Sequence, residues 1–371
     1  MSRIHYVKPS ITDLEVSLAA DAAANSWGSK AGEYIKKFED AFASQIGSKF
    51  AIATSSCTGA MELGLAALHL NPGDEVILAD TNWVATASPL IHQGLKPVFV
   101  DINEDTWCID PKRIEEVITP RSRAVIATHL YGNACDLDQI KAICEDNNLY
   151  LIEDAAEAIG TYIGGIHAGT EGVFGTFSFH GSKTITCGEG GMLVTNDEVL
   201  YSNVRQLNNH GRAISEVRQF WSTVVGYKFR MSDVQAAIGL GQVMRFEELT
   251  VRKREILENY RSLFRDVPGL RMNPDLPNVV NGSWMPNLVF SENLNVDIED
   301  LRQHLNLLEI DARVFFWPLS SMGLYGSTST CPNSKTIASR SLNLPSFHDM
   351  TIQDQKRVAN AILSFIGRGN D

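Results

Sequence analysis

The sequence predicts an α/β fold: a large domain built on a mostly parallel sheet, followed by a smaller α+β domain. From about residue 31 to 240, short apolar runs rich in β-branched residues alternate with helical patterns, which is typical of a parallel sheet covered on both faces. Near residue 246 the pattern changes to one long helix followed by shorter strand-like runs. The 371 residues also exceed the size at which a single core usually stops growing. We therefore expect domains at 1–245 and 246–371.

The predicted strands of the large domain are short and mostly apolar. They are EVILAD (75–80), KPVFVDI (96–102), RAVIAT (123–128) and LYLIED (149–154). Between the last two, Leu137, Ile140, Ile143 and Cys144 recur at the spacing of one helix face. Because ligands of such sheets bind at the carboxyl ends of the strands, we expect the functional site there.

The C-terminal part begins with a predicted amphipathic helix at 246–265, whose apolar side carries Phe246, Leu249, Ile256, Tyr260 and Leu263. Further predicted elements are strands at 284–290 and 311–317, helices near 297–308 and 352–366, and a surface loop at 274–282. These elements predict the smaller α+β domain.

Composition argues against a nucleic-acid partner, a membrane location and a metal site. The net charge is 32 − 44 = −12, without a block of Lys or Arg. The six cysteines form no CxxC pair and no cluster with zinc-ligand spacing, which favours reduced thiols in the cytoplasm. The N-terminal residues do not resemble a secretory signal, and no apolar run is long enough to cross a bilayer.

Lys183 lies in the segment GVFGTFSFHGSKTITCGEGGMLVTN (172–196), which predicts a strand, a Gly-rich turn and a second strand. A lysine just past a buried strand can be desolvated, lose its charge and act as a nucleophilic amine. An exposed loop lysine is the alternative interpretation, and for a single lysine it is the commoner case.

Two further segments follow predicted strands. Asp154 closes LYLIED, with Glu153 as a competing carboxylate and a helix cap as the alternative role. SSCTGA (55–60) precedes a predicted helix, where hydroxyls and backbone N–H groups can bind phosphate; Ser56 and Thr58 could equally be simple caps.

Together with Lys183, these groups meet the demands of pyridoxal 5′-phosphate (PLP): an amine, an acid for the pyridine nitrogen and a phosphate cup. Trp83 is a candidate for the flat group against the ring.

In chain order, seven segments resemble the DegT/DnrJ/EryC1/StrS family of nucleotide-sugar aminotransferases, from about residue 8 to the end. They are SSCTGAMEL, GDEVILADTNWVATA, HLYG, LIEDAAEAIG, FSFHGSKTITCGEGGM, GYKFRMSDVQAAIG and NLPSF. Residues 151–196 are the most specific, and SFHGSKT followed by GEGG is most similar to the GDP-perosamine synthases. The resemblance implies PLP fold type I (aspartate aminotransferase-like) and a homodimer in which each active site uses both subunits.

The resemblance also implies roles for single residues. Lys183 matches the Schiff-base lysine, and Asp154 matches the acid at the pyridine nitrogen. Glu157 matches a position, often Gln, that approaches the ring hydroxyl, and Trp83 matches the stacking aromatic. The residues that match phosphate contacts are Thr58, Gly59 and Ser178.

Three positions differ from the common family pattern. Cys57 stands where Gly is usual, in the phosphate turn. Lys228 stands where an Asn often reaches the phosphate in the partner subunit; a Lys could still contact phosphate as a point charge. Ser320 stands where a His often lies near the sugar, so it bears on the identity of the sugar.

The expected reaction moves an amino group from L-glutamate to carbon four of a 4-keto-6-deoxy sugar nucleotide, with pyridoxamine 5′-phosphate (PMP) as intermediate, for O-antigen or related glycan biosynthesis. Arg313 is the main candidate for the diphosphate, ahead of Arg230 and Lys30. Other candidates for substrate contacts are Trp27, Ser29 and His180. Arg313, Arg230 and Lys30 could also be ordinary surface or ion-pair residues.

Three alternatives remain at this point. A PLP-dependent sugar dehydratase is one, although such family members carry His at the position of Lys183. A non-catalytic regulator on the same scaffold is another, and it would have no need of a Schiff-base lysine. A nicotinamide enzyme is disfavoured because no GxGxxG follows an early strand.

Overall fold

The structure is a computed structural model that describes residues 2–213, 215–326 and 329–367. Its strands are β1 Phe50–Thr54, β2 Glu75–Ala79, β3 Lys96–Val100, β4 Ser122–Thr128, β5 Tyr150–Asp154, β6 Tyr162–Ile163, β7 Ile166–His167, β8 Phe174–Ser178, β9 Gly191–Thr195, β10 Leu270–Met272, β11 Val279–Val280, β12 Asn287–Phe290, β13 Arg313–Val314 and β14 Ser341–Asn343. Its α-helices are α1 Asp13–Asn25, α2 Glu33–Ile46, α3 Cys57–Ala67, α4 Val84–His92, α5 Pro111–Glu115, α6 Leu137–Asp146, α7 Glu198–Leu207, α8 Asp233–Met244, α9 Phe246–Phe264, α10 Ile298–Leu307, α11 Pro332–Ser339 and α12 Ile352–Gly367.

The largest sheet has seven strands in the order β1-β9-β8-β5-β4-β2-β3. The pairings from β3 through β2, β4 and β5 to β8 are all parallel, and only β9 runs against its neighbours β8 and β1. The mostly parallel α/β fold is therefore confirmed, and the four predicted strands are all present. Every residue of β2 is buried, as expected for a strand covered on both faces.

The predicted helix before β5 is α6. Asp136 caps it by accepting a hydrogen bond from the backbone N–H of Gln139. The four apolar residues at helical spacing, Leu137, Ile140, Ile143 and Cys144, are all buried against the sheet core.

A second sheet lies in the C-terminal part, with four antiparallel strands in the order β10-β12-β14-β13. The long helix α9 and the helices α10 and α12 pack with it, as predicted. The segment 274–282 differs from the expected loop, because β11 pairs with β6 in a small third sheet. The N-terminal residues contact the C-terminal part, since Ile4 pairs with Ile310 and joins the C-terminal core. The domain boundary at 245/246 stays a prediction.

The carboxyl edge of the large sheet carries the polar residues singled out in the sequence. Parallel pairing sets Thr128 beside Asp154, and Asp154 beside Thr176. Because parallel strands end at the same edge, side chains from separate segments meet there. Among the described residues, no helix is long and apolar enough to cross a membrane.

Candidate active site

A cavity of about 550 Å³ opens at this edge of the sheet. It is lined by residues of both the large sheet and the C-terminal part. The predicted site residues that line it are Ser56, Thr58, Trp83, Asp154, Glu157, Ser178, His180, Lys183 and Arg313. The fold therefore gathers nine residues from five separate segments of the sequence.

Lys183 is held in a tight turn after β8. Its backbone N–H donates to the carbonyl of His180 at 2.9 Å, and the N–H of Cys187 donates to the carbonyl of Phe179 at 3.0 Å. The side chain is only 12% exposed, and its Nζ lies 3.2 Å from Glu157 Oε1. The alternative of an exposed loop lysine therefore does not apply. A nearly buried amine facing a cavity is suited to covalent chemistry.

Asp154 ends β5 with its carboxylate in the cavity. Its Oδ2 accepts a hydrogen bond of 2.6 Å from the hydroxyl of Thr86, and its Oδ1 accepts the N–H of Ala156 at 3.1 Å. These two donors fix the orientation of a buried carboxylate and leave it available to a ligand in the cavity.

Glu153, the competing carboxylate, does not line the cavity. It accepts backbone N–H groups from Gly169 at 2.6 Å and from Glu171 and Gly172 at 2.7 Å, and it pairs with His129 at 2.9 Å. Burial favours its neutral form, but the hydrogen bonds from His129 and the backbone outweigh this and lower the pKa of Glu153. Glu153 is thus a structural anion, and Asp154 is the carboxylate presented to the cavity.

Glu157 lies one turn beyond Asp154 in the chain and is also buried. Its Oε2 accepts the N–H of Tyr131 at 2.8 Å. Burial raises the pKa of Glu157, and the charge of Lys183 partly offsets this rise. Tyr131 adopts φ +57, a left-handed conformation that costs free energy in a bulky residue and often marks functional sites.

The segment predicted to bind phosphate forms the N-terminus of α3. Ser56 caps this helix, with its hydroxyl accepting the N–H of Gly59 at 3.0 Å. Ser178, at the end of β8, faces the same cavity. Gly191 of β9 packs so closely that an added Cβ would lie 2.4 Å from the backbone nitrogen of Cys57. The helix N-terminus and the two hydroxyls form a donor set that suits a phosphate.

These residues fit PLP. Asp154 offers an acid to a pyridine nitrogen, Lys183 offers an amine to an aldehyde, and the cup offers donors to a phosphate. Within the described ranges, no group of three or more His, Cys, Asp or Glu side chains is arranged to hold a metal ion.

Comparison with known proteins agrees with this geometry. Residues 9–363 match the model of the DegT/DnrJ/EryC1/StrS aminotransferase family. The chain belongs to this family. A GDP-perosamine synthase of Escherichia coli O157:H7 is 36% identical over 366 residues, covering 98% of this chain and 99% of that protein. A GDP-perosamine synthase of Vibrio cholerae is 33% identical over 361 residues, covering 96% and 98%.

Solved structures of other proteins share the fold. DesI, determined in the presence of its TDP-sugar product, has a TM-score of 0.92 at 29% identity, covering 100% of this chain and 94% of that one. A GDP-4-keto-6-deoxy-D-mannose-3-dehydratase of E. coli with bound hydrated PLP has a TM-score of 0.90 at 25% identity, covering 98% and 100%. The PLP type I fold is therefore confirmed for this family member, and the family includes a dehydratase branch.

An aromatic wall lines part of the cavity. Trp83 is 54% exposed and lies beside Phe316, with ring centroids 5.6 Å apart at 34°. Trp317 lines the same side of the cavity. Arg313 places its guanidinium over the ring of Tyr6, 5.3 Å from the centroid. The wall therefore places the flat apolar rings of Trp83 and Phe316 in the same cavity as the guanidinium of Arg313.

Some predicted residues lie outside the cavity of the single chain. Lys228 is exposed on the segment beside β1. Trp27 is 70% exposed and its Nε1 donates to the carbonyl of Ala23. The others are Ser29 and Lys30, both exposed, and Gly59, which is buried against Phe229. Arg230 lines a separate cavity of about 280 Å³. The roles expected for these residues stay predictions.

Sequence reasoning did not find two residues that shape this family member's site. Trp284 covers Lys183, and its ring centroid lies 3.8 Å from Nζ. Tyr131 supplies the N–H that holds Glu157. The segment HLYG contained Tyr131 without marking its role, and Trp284 sits in an apolar strand-like run where a tryptophan usually means core packing.

Proposed function

We propose that this protein is a PLP-dependent aminotransferase that moves an amino group from L-glutamate to carbon four of a 4-keto-6-deoxy sugar nucleotide, as a GDP-perosamine synthase does. The observation that carries the proposal is the nearly buried amine of Lys183, which shares one cavity with Asp154 and the Ser56 helix cap. The GDP-perosamine synthases at 33–36% identity support the choice of substrate. The expected pathway is O-antigen or related glycan biosynthesis.

When bound, PLP supplies an aldehyde that takes up an amine and a ring that accepts electrons from the adjacent carbon. The chain's own residues then do the proton work. Asp154, whose carboxylate is oriented by the hydroxyl of Thr86, would hold a proton on the ring nitrogen. Lys183, once its amine is free, is the general base that moves the proton from the α-carbon of the amino donor.

The substrate needs donors for a diphosphate and a surface for a sugar. Arg313 is a cation that lines the cavity, and Trp83 with Phe316 provides the apolar wall. His180 lies at the rim, with its Nδ1 2.9 Å from the hydroxyl of Ser182. We assign the diphosphate to Arg313, while Trp27, Ser29 and Lys30 are the proposed contacts near the nucleotide.

We propose a homodimer with shared active sites. Residues 217–225 carry apolar side chains that are strongly exposed in the single chain, among them Phe220 at 82% and Val225 at 95%. A patch of this kind usually marks an interaction surface. In a dimer, Lys228 would contact the phosphate in the partner's site from the same segment. All six cysteines are free thiols, which supports the proposed cytoplasmic location.

A sugar dehydratase is the second candidate, because the dehydratase of E. coli shares the fold. Lys183 argues against it, since dehydratases of this family carry His at that position. A non-catalytic regulator is disfavoured by the complete set of Lys183, Asp154 and the phosphate cup.

The test is product analysis with the PLP-loaded protein, L-glutamate and GDP-4-keto-6-deoxymannose. We expect one 2-oxoglutarate for each 4-amino sugar nucleotide formed. Release of ammonia with a deoxygenated keto sugar would support the dehydratase instead. Amination of only UDP- or dTDP-linked keto sugars would keep the reaction and change the nucleotide.

A further inference from the structure

A row of polar side chains crosses the four-stranded C-terminal sheet. Antiparallel pairing sets Asn287 of β12 opposite Asn343 of β14, and Asn343 opposite Arg313 of β13. Asn273, which directly follows β10, donates from Nδ2 to Asn287 Oδ1 at 3.0 Å. Residues opposite each other on neighbouring strands point to the same face of a sheet. The row therefore runs from the end of β10 to Arg313 on the edge strand.

The three asparagines of this row, Asn273, Asn287 and Asn343, are buried and joined head to tail. After the bond from Asn273, Asn287 Nδ2 donates to Asn343 Oδ1. Asn343 Nδ2 then donates to the hydroxyl of Tyr6 at 3.5 Å. Because each buried amide is hydrogen-bonded to the next, its desolvation is offset, and neighbouring bonds polarise one another. We call these three side chains the amide row.

The amide row ends on the groups that hold Arg313 at the cavity. Asn343 lines the cavity, and its Nδ2 also donates to the carbonyl of Val314, the residue after Arg313, at 3.2 Å. Its other partner is the half-buried Tyr6, whose ring centroid lies 5.3 Å from the Arg313 guanidinium. Asn343 thus holds both the strand that carries Arg313 and the ring on which its cation rests.

The amide row also connects this sheet to the large sheet. At its far end, Asn273 Nδ2 donates to Oδ1 of Asn133 at 3.4 Å. Asn133 lies just beyond β4, whose last residue, Thr128, lines the cavity. Leu288 and Leu342, the strand neighbours of the row, point to the opposite face and pack in the C-terminal core. The buried amides are thus confined to the face that leads to the cavity.

We propose that Asn343 is a positioning residue for Arg313, and that the amide row holds the guanidinium where the diphosphate of the substrate binds. The inference rests on the proposed function, in which Arg313 is assigned to that diphosphate. A long side chain on an edge strand would otherwise sample many rotamers. Fixing it before the substrate arrives lowers the entropy cost of binding an anion.

The test is a double-mutant cycle on nucleotide binding, measured by isothermal titration of the PLP-loaded protein. The probe is whichever of GDP, UDP and dTDP binds the wild type most tightly. Arg313→Met should weaken binding by about tenfold or more, because it removes a charged donor to the diphosphate. Asn343→Leu should weaken it by about fivefold, because the guanidinium is held less firmly. Since Asn343 acts through Arg313, the double variant should bind no more weakly than Arg313→Met alone.

Ser341→Ala is the matched control, because Ser341 is buried in the same strand and its hydroxyl donates to the carbonyl of Ile337 in α11. It should leave the affinity unchanged. If Asn343→Leu does not fold, Tyr6→Phe removes the hydroxyl at the end of the amide row and keeps the ring. Its effect should likewise vanish when Arg313 is already Met.

Losses from Asn343→Leu and Arg313→Met that multiply in the double variant would overturn the inference and leave the proposed function standing. So would wild-type affinity in Asn343→Leu. Wild-type affinity in Arg313→Met would instead overturn the assignment of the diphosphate in the proposed function, and the inference with it.

Discussion

Ser320 donates two hydrogen bonds to Asp80, from its backbone N–H to Oδ1 at 2.7 Å and from its hydroxyl to Oδ2 at 2.8 Å. The neighbouring N–H of Leu319 also donates to the Asp80 carbonyl at 2.9 Å. These bonds attach the segment after the aromatic wall to the residue that follows β2. Many family members have a His near the sugar at this position. In this chain the hydroxyl of Ser320 instead holds the aromatic wall to Asp80.

We therefore expect Ser320→Ala to loosen the wall. The variant keeps the backbone bond but removes the hydroxyl that donates to Oδ2 of the buried Asp80 carboxylate, which should cost about 1–3 kcal/mol of unfolding free energy. The KM for the sugar nucleotide should rise, while the reaction with L-glutamate alone should keep its rate. Denaturant unfolding and separate kinetics of the two half-reactions measure both effects. An unchanged KM and stability would show that Asp80 does not hold the wall through Ser320.

Lys183→Ala should abolish turnover, because no other amine lines the cavity among the described residues. The variant should still bind PMP, whose amine needs no lysine. Lys183→Arg is the matched control, since it keeps a cation beside Glu157 but lacks a nucleophilic amine, and it should be equally inactive. Turnover assays and PMP titration measure this, and full activity of either variant would refute the role of Lys183.

The adjacent carboxylates Asp154 and Glu153 should respond differently when each is replaced by its amide. Asp154→Asn should lower kcat by about a hundredfold or more, with the fold intact, because the acid at the cofactor is lost. Glu153→Gln should mainly reduce stability, by about 3 kcal/mol, because it weakens a buried pair with His129. Kinetics and urea unfolding of both variants measure the contrast. Similar kcat losses with equal stability would contradict the assignment.

His167 should make stability depend on pH. Burial lowers the pKa of His167 to about 4, and its Nε2 accepts the N–H of Gly160 at 3.0 Å, which requires the neutral ring. In the unfolded chain the imidazole of His167 binds a proton near pH 6.5. The contribution of the neutral His167 to folding stability is therefore fully present above pH 6.5 and is lost as the pH falls to about 4.

The expected loss from this histidine is on the order of 3 kcal/mol over that range. His167→Gln has no titrating ring and can still accept the Gly160 N–H. Unfolding free energies of both proteins at several pH values give the difference. If the unfolding free energies of the two proteins changed with pH in the same way, His167 would take up its proton in the folded state as readily as in the unfolded chain.

The strands and the chemistry at their ends were predictable from the sequence, because buried parallel strands are apolar runs and Asp154 closes one of them. The strand pattern alone left Glu153 as a competitor of Asp154, since the choice depends on strand orientation: Glu153 meets the backbone of 169–172 and Asp154 meets Thr86. Trp284 was missed because its partner Lys183 is about a hundred residues away. Strand β11 was missed because two residues leave no periodic pattern.

The central claim is that Lys183 and Asp154 serve amino transfer between glutamate and a keto sugar. The most direct measurement follows the visible absorption of the PLP-loaded protein on adding L-glutamate and then GDP-4-keto-6-deoxymannose. We predict that glutamate removes the PLP band and that the sugar nucleotide restores it. A band that glutamate leaves unchanged would contradict the account, because Lys183 would then not be exchanging its place with an amino donor.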